Sequence, residues 1–219
     1  MTDARRDVQI SKALSYLLRH GAAKEKLPMD ANGYVPVSAV LTHQRLKSHR
    51  CSHDDLVRVV ECNEKQRFHL RNVAGVEEIA ATQGHSLRLA PDESVLQRVT
   101  APLDHPLIHG TNMGSLQLIL QSGAVKRMRR NHIHLSRGVV GQDTAVVSGM
   151  RKNCQVLIYL KVSELVGRMP VYRSLNDVYL TAEDIPLDLF EKVVFRGVDQ
   201  LDLFDVTTQL DQLNIPYEF

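Results

Sequence analysis

The spacing of hydrophobic residues in the first third of the chain predicts a series of helices. Apolar residues recur at helical spacing over Ile10–Leu18, and the pattern stops at Gly21, a residue type common just past a helix end. A second short helix is predicted over Val37–Leu46. A third begins at Ser52, which pairs with Asp55 three residues later in the manner of a capping box.

A β-hairpin is predicted after these helices. Phe68 and Leu70 alternate with polar neighbours, which is typical of a half-buried strand. The stretch Asn72–Gly75 can turn the chain back through Val76–Ile79. Three helices and a hairpin together predict a winged-helix-like module.

The remainder of the chain predicts a second, strand-rich lobe. Prolines interrupt the stretch from residue 87 to residue 106, so we place the boundary there and predict lobes at residues 1–95 and 96–219. One convincing helix follows, Ser115–Gln121, which ends at Gly123. Short apolar strands are predicted at Leu107–Ile108, Ile133–Leu135, Val156–Val162, Val178–Leu180 and Val193–Phe195. This pattern predicts an α+β fold and argues against a doubly wound parallel sheet.

Composition excludes several classes of protein. With 219 residues, 43% hydrophobic and 24% charged, the chain is too ordinary to be collagenous or mainly disordered. It has neither a secretory signal pattern nor an apolar run long enough to span a membrane, so we expect an intracellular protein, cytoplasmic or nuclear. Its 3 cysteines lack metal-site spacing and are interpreted as reduced structural thiols. The modest aromatic content, 5%, gives no indication of a large interface, and we expect a monomer.

Charge is concentrated locally although the formal net charge is only +2. Five cations and no acid lie between Lys126 and Arg137. If this segment is a strand, its alternation places Arg130, His132, His134 and Ser136 on one face. Two histidines at this spacing without a nearby carboxylate or cysteine do not predict a metal site, so we expect no metal and favour an anion or nucleotide surface.

Three further features are ambiguous when each is taken alone. Arg19 and His20 lie in a last helical turn, where cations complement the helix dipole without any catalytic role. Arg67 lies on the polar face of the hairpin, where a solvated charge is common. The run from residue 107 to residue 115 is a strand-to-helix turn that suits a phosphate, but it matches neither a Rossmann nor a P-loop motif.

Taken together, these stretches resemble the RNA (tRNA) 2'-phosphotransferases. The motifs occur in the family's order over about residues 10 to 198, and one position departs from it, because Ala80 stands where the family often has arginine. The motifs that carry the resemblance are Ser11–Gly21, Arg67–Leu70, Gln83–Ser86, His109–Thr111 and Arg130–Ser136.

The resemblance implies a winged-helix RNA lobe packed on an ADP-ribosyltransferase-like lobe that binds NAD. The implied enzyme uses NAD as co-substrate and no metal to remove the internal 2'-phosphate that tRNA splicing leaves. The phosphate attacks the nicotinamide ribose and expels nicotinamide, which gives an ADP-ribosylated RNA intermediate. A second step releases 2'-OH RNA and ADP-ribose 1'',2''-cyclic phosphate.

The same resemblance implies which residues act. Arg19, His20, Arg67 and Arg130 match the family's catalytic set, and RNA contacts are expected from Lys12 together with Arg19 and Arg67. Arginines suit this chemistry because they offer permanently charged, bidentate donors to a phosphate that is already anionic. The residues expected around NAD are His109, Gly110, Thr111, Ser115, His134 and Ser136.

Two other functions stay open from the sequence. A winged-helix regulator with a ligand-sensing second lobe would explain the first part of the chain, but not the co-occurrence of Arg67, His109–Thr111 and the Arg130–Ser136 segment. An ADP-ribosyltransferase that modifies terminal phosphates of nucleic acid would keep the NAD lobe and change the acceptor. A protein-modifying ADP-ribosyltransferase is disfavoured, because the cationic segment lacks the glutamate that such enzymes commonly use.

Overall fold

Two units of the chain each have a hydrophobic core of their own. The computed structural model describes residues 2–87, 96–144, 146, 148–199 and 203–219. The first unit comprises Met1–Val95 with Arg129–Asn131, and the second comprises Leu96–Met128 with His132–Phe219. The segment just before the predicted lobe boundary, residues 88–95, lies outside the described residues.

Four helices and a π-helical turn precede the hairpin of the first unit. Ser52 caps α4 (His53–Glu61) with the predicted capping box, because its side chain and that of Asp55 each accept from the other's backbone N–H. The single helix predicted over Val37–Leu46 is wrong, since extended backbone at His43 (φ −71°, ψ 140°) divides it in two. The helices are α1 Thr2–Tyr16, α2 Val37–Thr42, α3 Gln44–Lys47 and α4 His53–Glu61, with a π-helical turn at Leu17–Gly21.

An antiparallel three-stranded sheet completes the first unit. The predicted hairpin is confirmed by β2 (Phe68–Val73) and β3 (Val76–Ala81), and β1 (Val35–Pro36) pairs with the other side of β3. Two residues are too few to show alternation, which explains why β1 was not predicted. Fully buried side chains join the helices to the sheet, among them Leu14, Leu18, Leu46, Leu56 and Ile79.

An eight-stranded sheet organises the second unit. Its strands are β4 Leu96–Arg98, β5 Leu107–Thr111, β7 Ile133–Ser136, β8 Val156–Leu160, β9 Tyr172–Ser174, β10 Val178–Thr181, β12 Phe190–Phe195 and β13 Tyr217–Glu218. Their order is β13-β12-β8-β5-β7-β10-β9-β4, and every pairing except β12 with β13 is antiparallel. A separate pair is formed by β6 (Ala124–Val125) and β11 (Ile185–Pro186). The predicted α+β class is therefore confirmed.

More helices occur in the second unit than the sequence predicted. The expected helix is α5 (Met113–Ser122), and Gly123 ends it in the left-handed conformation at φ 75°. The structure adds α6 (Val162–Arg168), α7 (Phe204–Gln212) and a 3₁₀ turn at Leu187–Leu189. The strand predicted to reach Val162 ends at Leu160, because an apolar run does not reveal where a strand gives way to a helix.

Both faces of the large sheet are covered around β8. Val156, Ile158 and Leu160 pack into one hydrophobic cluster, whereas Leu157 belongs to another on the opposite face. Such two-sided burial explains why β8 has a continuous apolar sequence instead of an alternating one. Within the described ranges, no helix combines the length and the apolar character needed to cross a membrane.

Candidate active site

The turn that carries Arg19 and His20 is a π-helical turn at the end of α1. The sequence predicted both residues in a last helical turn, which the structure confirms, although the turn is wider than an α-helical one. A Cβ at Gly21 would lie 2.6 Å from Cε1 of Tyr16, so only glycine lets that ring pack against the turn. The guanidinium of Arg45 covers the Tyr16 ring at 4.2 Å from its centre. Single π turns are frequent at functional sites.

Arg19 is a half-buried cation whose guanidinium has nitrogens without an acceptor among the described residues. Its Nε and Nη2 atoms are buried and have no hydrogen-bond partner among the described residues. The guanidinium lies over Gly84, whose positive φ of 88° suits glycine and whose Cβ position is 3.6 Å from the Arg19 Cζ. Burial, and then the charges of Arg67 and Arg130, lower the pKa of Arg19 to about 10. Buried donors of this kind are costly unless an acceptor binds them, and an anion would supply one.

Arg67 and Arg130 come from separate segments of the first unit. Arg67 precedes β2, and its backbone N–H and Nη1 both donate to the Asn63 side-chain oxygen at 3.4 Å. Burial lowers the pKa of Arg67. Beside Arg130, Asn131 donates its backbone N–H to the carbonyl of His85 at 3.0 Å and its side-chain amide to the Leu87 carbonyl.

The predicted strand face from Arg130 to Ser136 is only partly correct. Strand β7 begins at Ile133, so Arg130 and His132 precede it. Arg130 belongs to the first unit, whereas His132 belongs to the second. Burial and the charge of Arg127 lower the pKa of His132. The alternation of polar residues assumed one continuous strand. It could not reveal that the segment passes from the first unit to the second between Asn131 and His132.

His20 is an exposed imidazole tied to the Gln83–Ser86 motif. Its Nδ1 lies 2.9 Å from Ser86 Oγ, and the Ser86 backbone N–H donates to the Arg19 carbonyl at 3.0 Å. Partial burial, followed by the charges of Arg19 and Arg130, lowers the pKa of His20. The lowered pKa favours the neutral form of the imidazole. The influence of Arg67 and Arg130 on Arg19, and of Arg19 and Arg130 on His20, places these four residues near one another. Their role as one phosphate site stays a prediction.

This group of three arginines and a histidine, the Arg/His cluster, can bind a phosphoryl group. Guanidinium groups hold phosphate through charge-assisted and often bidentate hydrogen bonds. Within the described ranges, no group of three histidine, cysteine or acidic residues could hold a metal ion. Lys12 is an exposed residue of α1, and its expected RNA contact stays a prediction. The departure from the family pattern, Ala80, is fully buried in β3 and offers no polar group.

An open cleft in the second unit lies where β5 leads into α5. Its volume is about 490 Å³, within the range of roughly 300–1,000 Å³ typical of small-molecule sites. The side chain of Asn112 caps α5 by accepting from the Ser115 backbone N–H at 2.9 Å. The cleft is lined by Thr111, Asn112, Ser115, Arg151, Asn153, Cys154 and Gln155. Two residues predicted to contact a cofactor, Thr111 and Ser115, are among them.

Two further predicted cofactor residues, His109 and Gly110, precede Thr111 on β5. His109 Nδ1 lies 3.2 Å from the carbonyl oxygen of His134. A Cβ at Gly110 would lie 2.7 Å from the Met150 Cβ and 2.9 Å from the Cys154 sulfur, so glycine is needed here for close packing. Their contacts with a cofactor stay predictions.

The other two predicted cofactor residues belong to β7. His134 is 8% exposed, and Ser136 is fully buried. The Ser136 hydroxyl donates to the Ser148 carbonyl at 3.2 Å, which anchors a loop against the strand. Whether either residue also contacts a cofactor stays a prediction.

Several residues near the Arg/His cluster and in the cleft of the second unit were not predicted from the sequence. Ser86 lay within a motif but carried no assigned role, and Asn63 and Asn131 had no local chemical signature. Arg151 and Gln155 of the cleft belong to a loop without recognisable periodicity. Of these residues, only Ser86 could have been predicted, because it belongs to the Gln83–Ser86 motif.

Comparison with known proteins identifies the family. A model described as RNA 2'-phosphotransferase, Tpt1 / KptA family, matches residues 5–183. A tRNA 2'-phosphotransferase of Saccharomyces cerevisiae is 46% identical over 222 residues, which cover 98% of this chain and 96% of the relative. The tRNA 2'-phosphotransferase 1 of Bos taurus is 44% identical over 184 residues, 82% of this chain and 70% of the relative. That of Homo sapiens is 40% identical over 179 residues, 80% of this chain and 69% of the relative. This chain belongs to the RNA 2'-phosphotransferase family.

Proposed function

We propose that the protein removes an internal 2'-phosphate from RNA, such as the phosphate left at a tRNA splice junction, with NAD as co-substrate. Membership of the RNA 2'-phosphotransferase family supports the phosphate-removing activity. The observation that carries the assignment to this chain is the convergence of Arg19, Arg67 and Arg130 with His20. In this reaction NAD accepts the phosphate on its nicotinamide ribose, which yields nicotinamide, ADP-ribosylated RNA and finally 2'-OH RNA with ADP-ribose 1'',2''-cyclic phosphate.

The cleft of the second unit has a donor set that fits NAD. Hydroxyls of Thr111 and Ser115 and the guanidinium of Arg151 suit the oxygens of a pyrophosphate and a ribose. The N-terminal end of α5 adds a favourable dipole for a negative group. We therefore propose that these three residues hold the ADP portion of the co-substrate. Four more residues support the same region of the sheet or contact NAD directly: His109, Gly110, His134 and Ser136.

The three arginines of the Arg/His cluster bind and orient the RNA phosphate in this proposal. A phosphate monoester carries between about −1.5 and −2 charges at pH 7, so it needs no strong base to become a nucleophile. It needs positioning and partial neutralisation, which fixed guanidinium groups provide without reorganisation. The Nε and Nη2 atoms of Arg19, which have no partner among the described residues, supply donors for the phosphate oxygens. Lys12 extends this contact surface along the RNA backbone.

In the second step His20 accepts the proton of the attacking ribose hydroxyl. A ribose hydroxyl then attacks phosphorus, and its proton needs an acceptor. The lowered pKa of His20 keeps its imidazole neutral and able to accept that proton. Arg19 and Arg130, which lower this pKa, also stabilise the charge that accumulates on the phosphoryl oxygens.

We further propose the fold assignments that the family resemblance implies. Four helices and a three-stranded antiparallel sheet support a winged-helix RNA-binding role for the first unit. The eight-stranded sheet with a cleft at the end of β5 supports an ADP-ribosyltransferase-like role for the second. Fold alone does not establish function, so both assignments depend on the chemistry above.

The proposed function is tested by incubating the protein with NAD and a short RNA that bears one internal 2'-phosphate. We expect 2'-OH RNA, nicotinamide and ADP-ribose 1'',2''-cyclic phosphate in equal amounts, identified by mass spectrometry. Release of inorganic phosphate without nicotinamide would contradict the use of NAD. A stable ADP-ribosylated nucleic acid as the final product would instead favour a transferase that modifies terminal phosphates.

A further inference from the structure

The hydroxyl of Ser86 lies between two groups of the catalytic turn. Its Oγ is 2.9 Å from His20 Nδ1 and 3.4 Å from the carbonyl oxygen of Arg19. The backbone N–H of the same serine donates to that carbonyl at 3.0 Å. Ser86 is thereby tied to the π-helical turn from both its backbone and its side chain.

The donor and acceptor capacities of these groups restrict how the hydrogen bonds run. A hydroxyl has one proton to donate, and a carbonyl can only accept. If Ser86 donates to the Arg19 carbonyl, its lone pairs accept from Nδ1–H of His20, and both contacts become hydrogen bonds. If Ser86 instead donates to Nδ1, the contact with the Arg19 carbonyl is lost. The arrangement with Nδ1–H makes two hydrogen bonds where the alternative makes one.

We propose that Ser86 is a positioning residue that holds His20 in the Nδ1–H tautomer and so leaves Nε2 as the proton acceptor. The catalytic consequence rests on the proposed function, whereas the tautomer itself does not. The ring nitrogen that carries the proton in a neutral histidine is set by the hydrogen bond of the other nitrogen. Ser86 acts on the reaction through His20 and needs no contact with substrate.

The same hydrogen bond survives proton transfer. When the attacking ribose hydroxyl gives its proton to Nε2, its oxygen uses the freed electron pair to bond to phosphorus. His20 becomes an imidazolium that still donates Nδ1–H to Ser86 Oγ. The bond from phosphorus to the RNA 2'-oxygen breaks, and that oxygen leaves with the bonding electrons and receives the proton from Nε2–H to become the 2'-OH. The ring therefore changes charge without rotating or exchanging partners, which is the condition for fixed, preorganised catalysis.

The tautomer can be observed directly in the full-length protein without substrate. Two-bond ¹H–¹⁵N correlation spectra distinguish a protonated from an unprotonated ring nitrogen, and a His20→Gln variant assigns the His20 signals. We expect a protonated Nδ1 and an unprotonated Nε2 in the wild-type protein at a pH where the ring is neutral. A protonated Nε2 in the wild-type protein would overturn the proposal.

Variants of Ser86 connect the tautomer to turnover. Ser86→Ala should give a mixture of tautomers and lower kcat about 2- to 12-fold, the rate equivalent of one hydrogen bond, with KM for NAD unchanged. Ser86→Thr keeps the hydroxyl and should show the wild-type tautomer and the wild-type kcat. The matched control is Ser48→Ala, which removes a serine-to-carbonyl hydrogen bond with Arg45 elsewhere in the first unit and should change neither.

The outcomes separate this proposal from the proposed function. An unchanged tautomer in Ser86→Ala would overturn the role of Ser86 even if the protein removes RNA 2'-phosphate. If the wild-type protein leaves 2'-phosphorylated RNA intact while its spectra show Nδ1–H, the proposed function fails and the tautomer assignment stands. If Ser86→Ala does not fold, the wild-type spectrum and the Ser86→Thr variant still test whether Ser86 holds His20 in the Nδ1–H tautomer.

Discussion

Gly110 is the position where a single methyl group should disturb the second unit most predictably. In Gly110→Ala the new Cβ would lie 2.7 Å from the Met150 Cβ and 2.9 Å from the Cys154 sulfur. Real Cβ atoms essentially never approach other atoms below 3.0 Å. Because the Met150 Cβ is fixed to its backbone, rotation of that side chain cannot relieve the contact.

The size of the effect follows from the cost of overpacking a core. Extra methyl groups in well-packed sites destabilise proteins by about 1–3 kcal/mol. For a chain of 150–250 residues, about 1 kcal/mol lowers Tm by about 2–4 °C, so we expect a decrease of about 2–12 °C. Since Cys154 also lines the cleft that we propose to hold NAD, its displacement should raise KM for NAD.

The matched control for this substitution is Gly114→Ala in the first turn of α5. There the nearest atom to the new Cβ is the Asn112 side-chain oxygen at 3.8 Å, an ordinary contact. Alanine also has a better helix propensity than glycine by about 1 kcal/mol, so this variant should be at least as stable as the wild-type protein. Differential scanning calorimetry compares the two variants. Equal Tm values for Gly110→Ala and the wild-type protein would refute the packing argument.

Three further predictions concern other parts of the chain. Arg67→Ala should lower the rate of RNA dephosphorylation by about 10²–10³-fold, as loss of an oxyanion donor does, whereas Arg168→Ala at an exposed ion pair should leave it unchanged; steady-state kinetics check both. A hydrogen bond from the Ser52 backbone, and then the Arg6 side chain, lower the pKa of Asp55. Its stabilising effect is therefore full above the unfolded pKa of about 3.9 and is lost as pH falls below it. Urea denaturation should show the stability difference between wild type and Asp55→Asn shrinking from pH 6 to pH 3. Gly167→Ala in α6 should raise stability by about 0.5–1 kcal/mol by the same measurement, because no other part of the described structure lies within 4 Å of the new Cβ.

Local signals explain which parts of the fold could be predicted from the sequence. The capping box at Ser52, the hairpin after Phe68 and the glycine stop at Gly123 each depend on residues close together in the chain. The break at His43 and the start of α6 were missed, because neither boundary carries a glycine or proline that would mark it in the sequence. The spacing of apolar residues predicts which residues are buried. It is less reliable in predicting whether those residues form a helix or a strand.

The candidate site shows a different limit of sequence reasoning. Motifs identified Arg19, His20, Arg67 and Arg130, but their order in the chain could not show that they share one unit. Arg130 reaches that unit because Asn131 bonds to the His85 carbonyl, a contact between segments distant in sequence. Such pairings are set by tertiary structure, and no local pattern predicts them.

The central claim, that the Arg/His cluster directs an RNA 2'-phosphate towards NAD, is tested most directly by nicotinamide release. The protein is incubated with NAD and either of two RNAs that differ only in one internal 2'-phosphate. We predict rapid release with the phosphorylated RNA, little without the phosphate, and loss of the difference in Arg19→Ala. Equally fast release with both RNAs in the wild-type protein would contradict the claim.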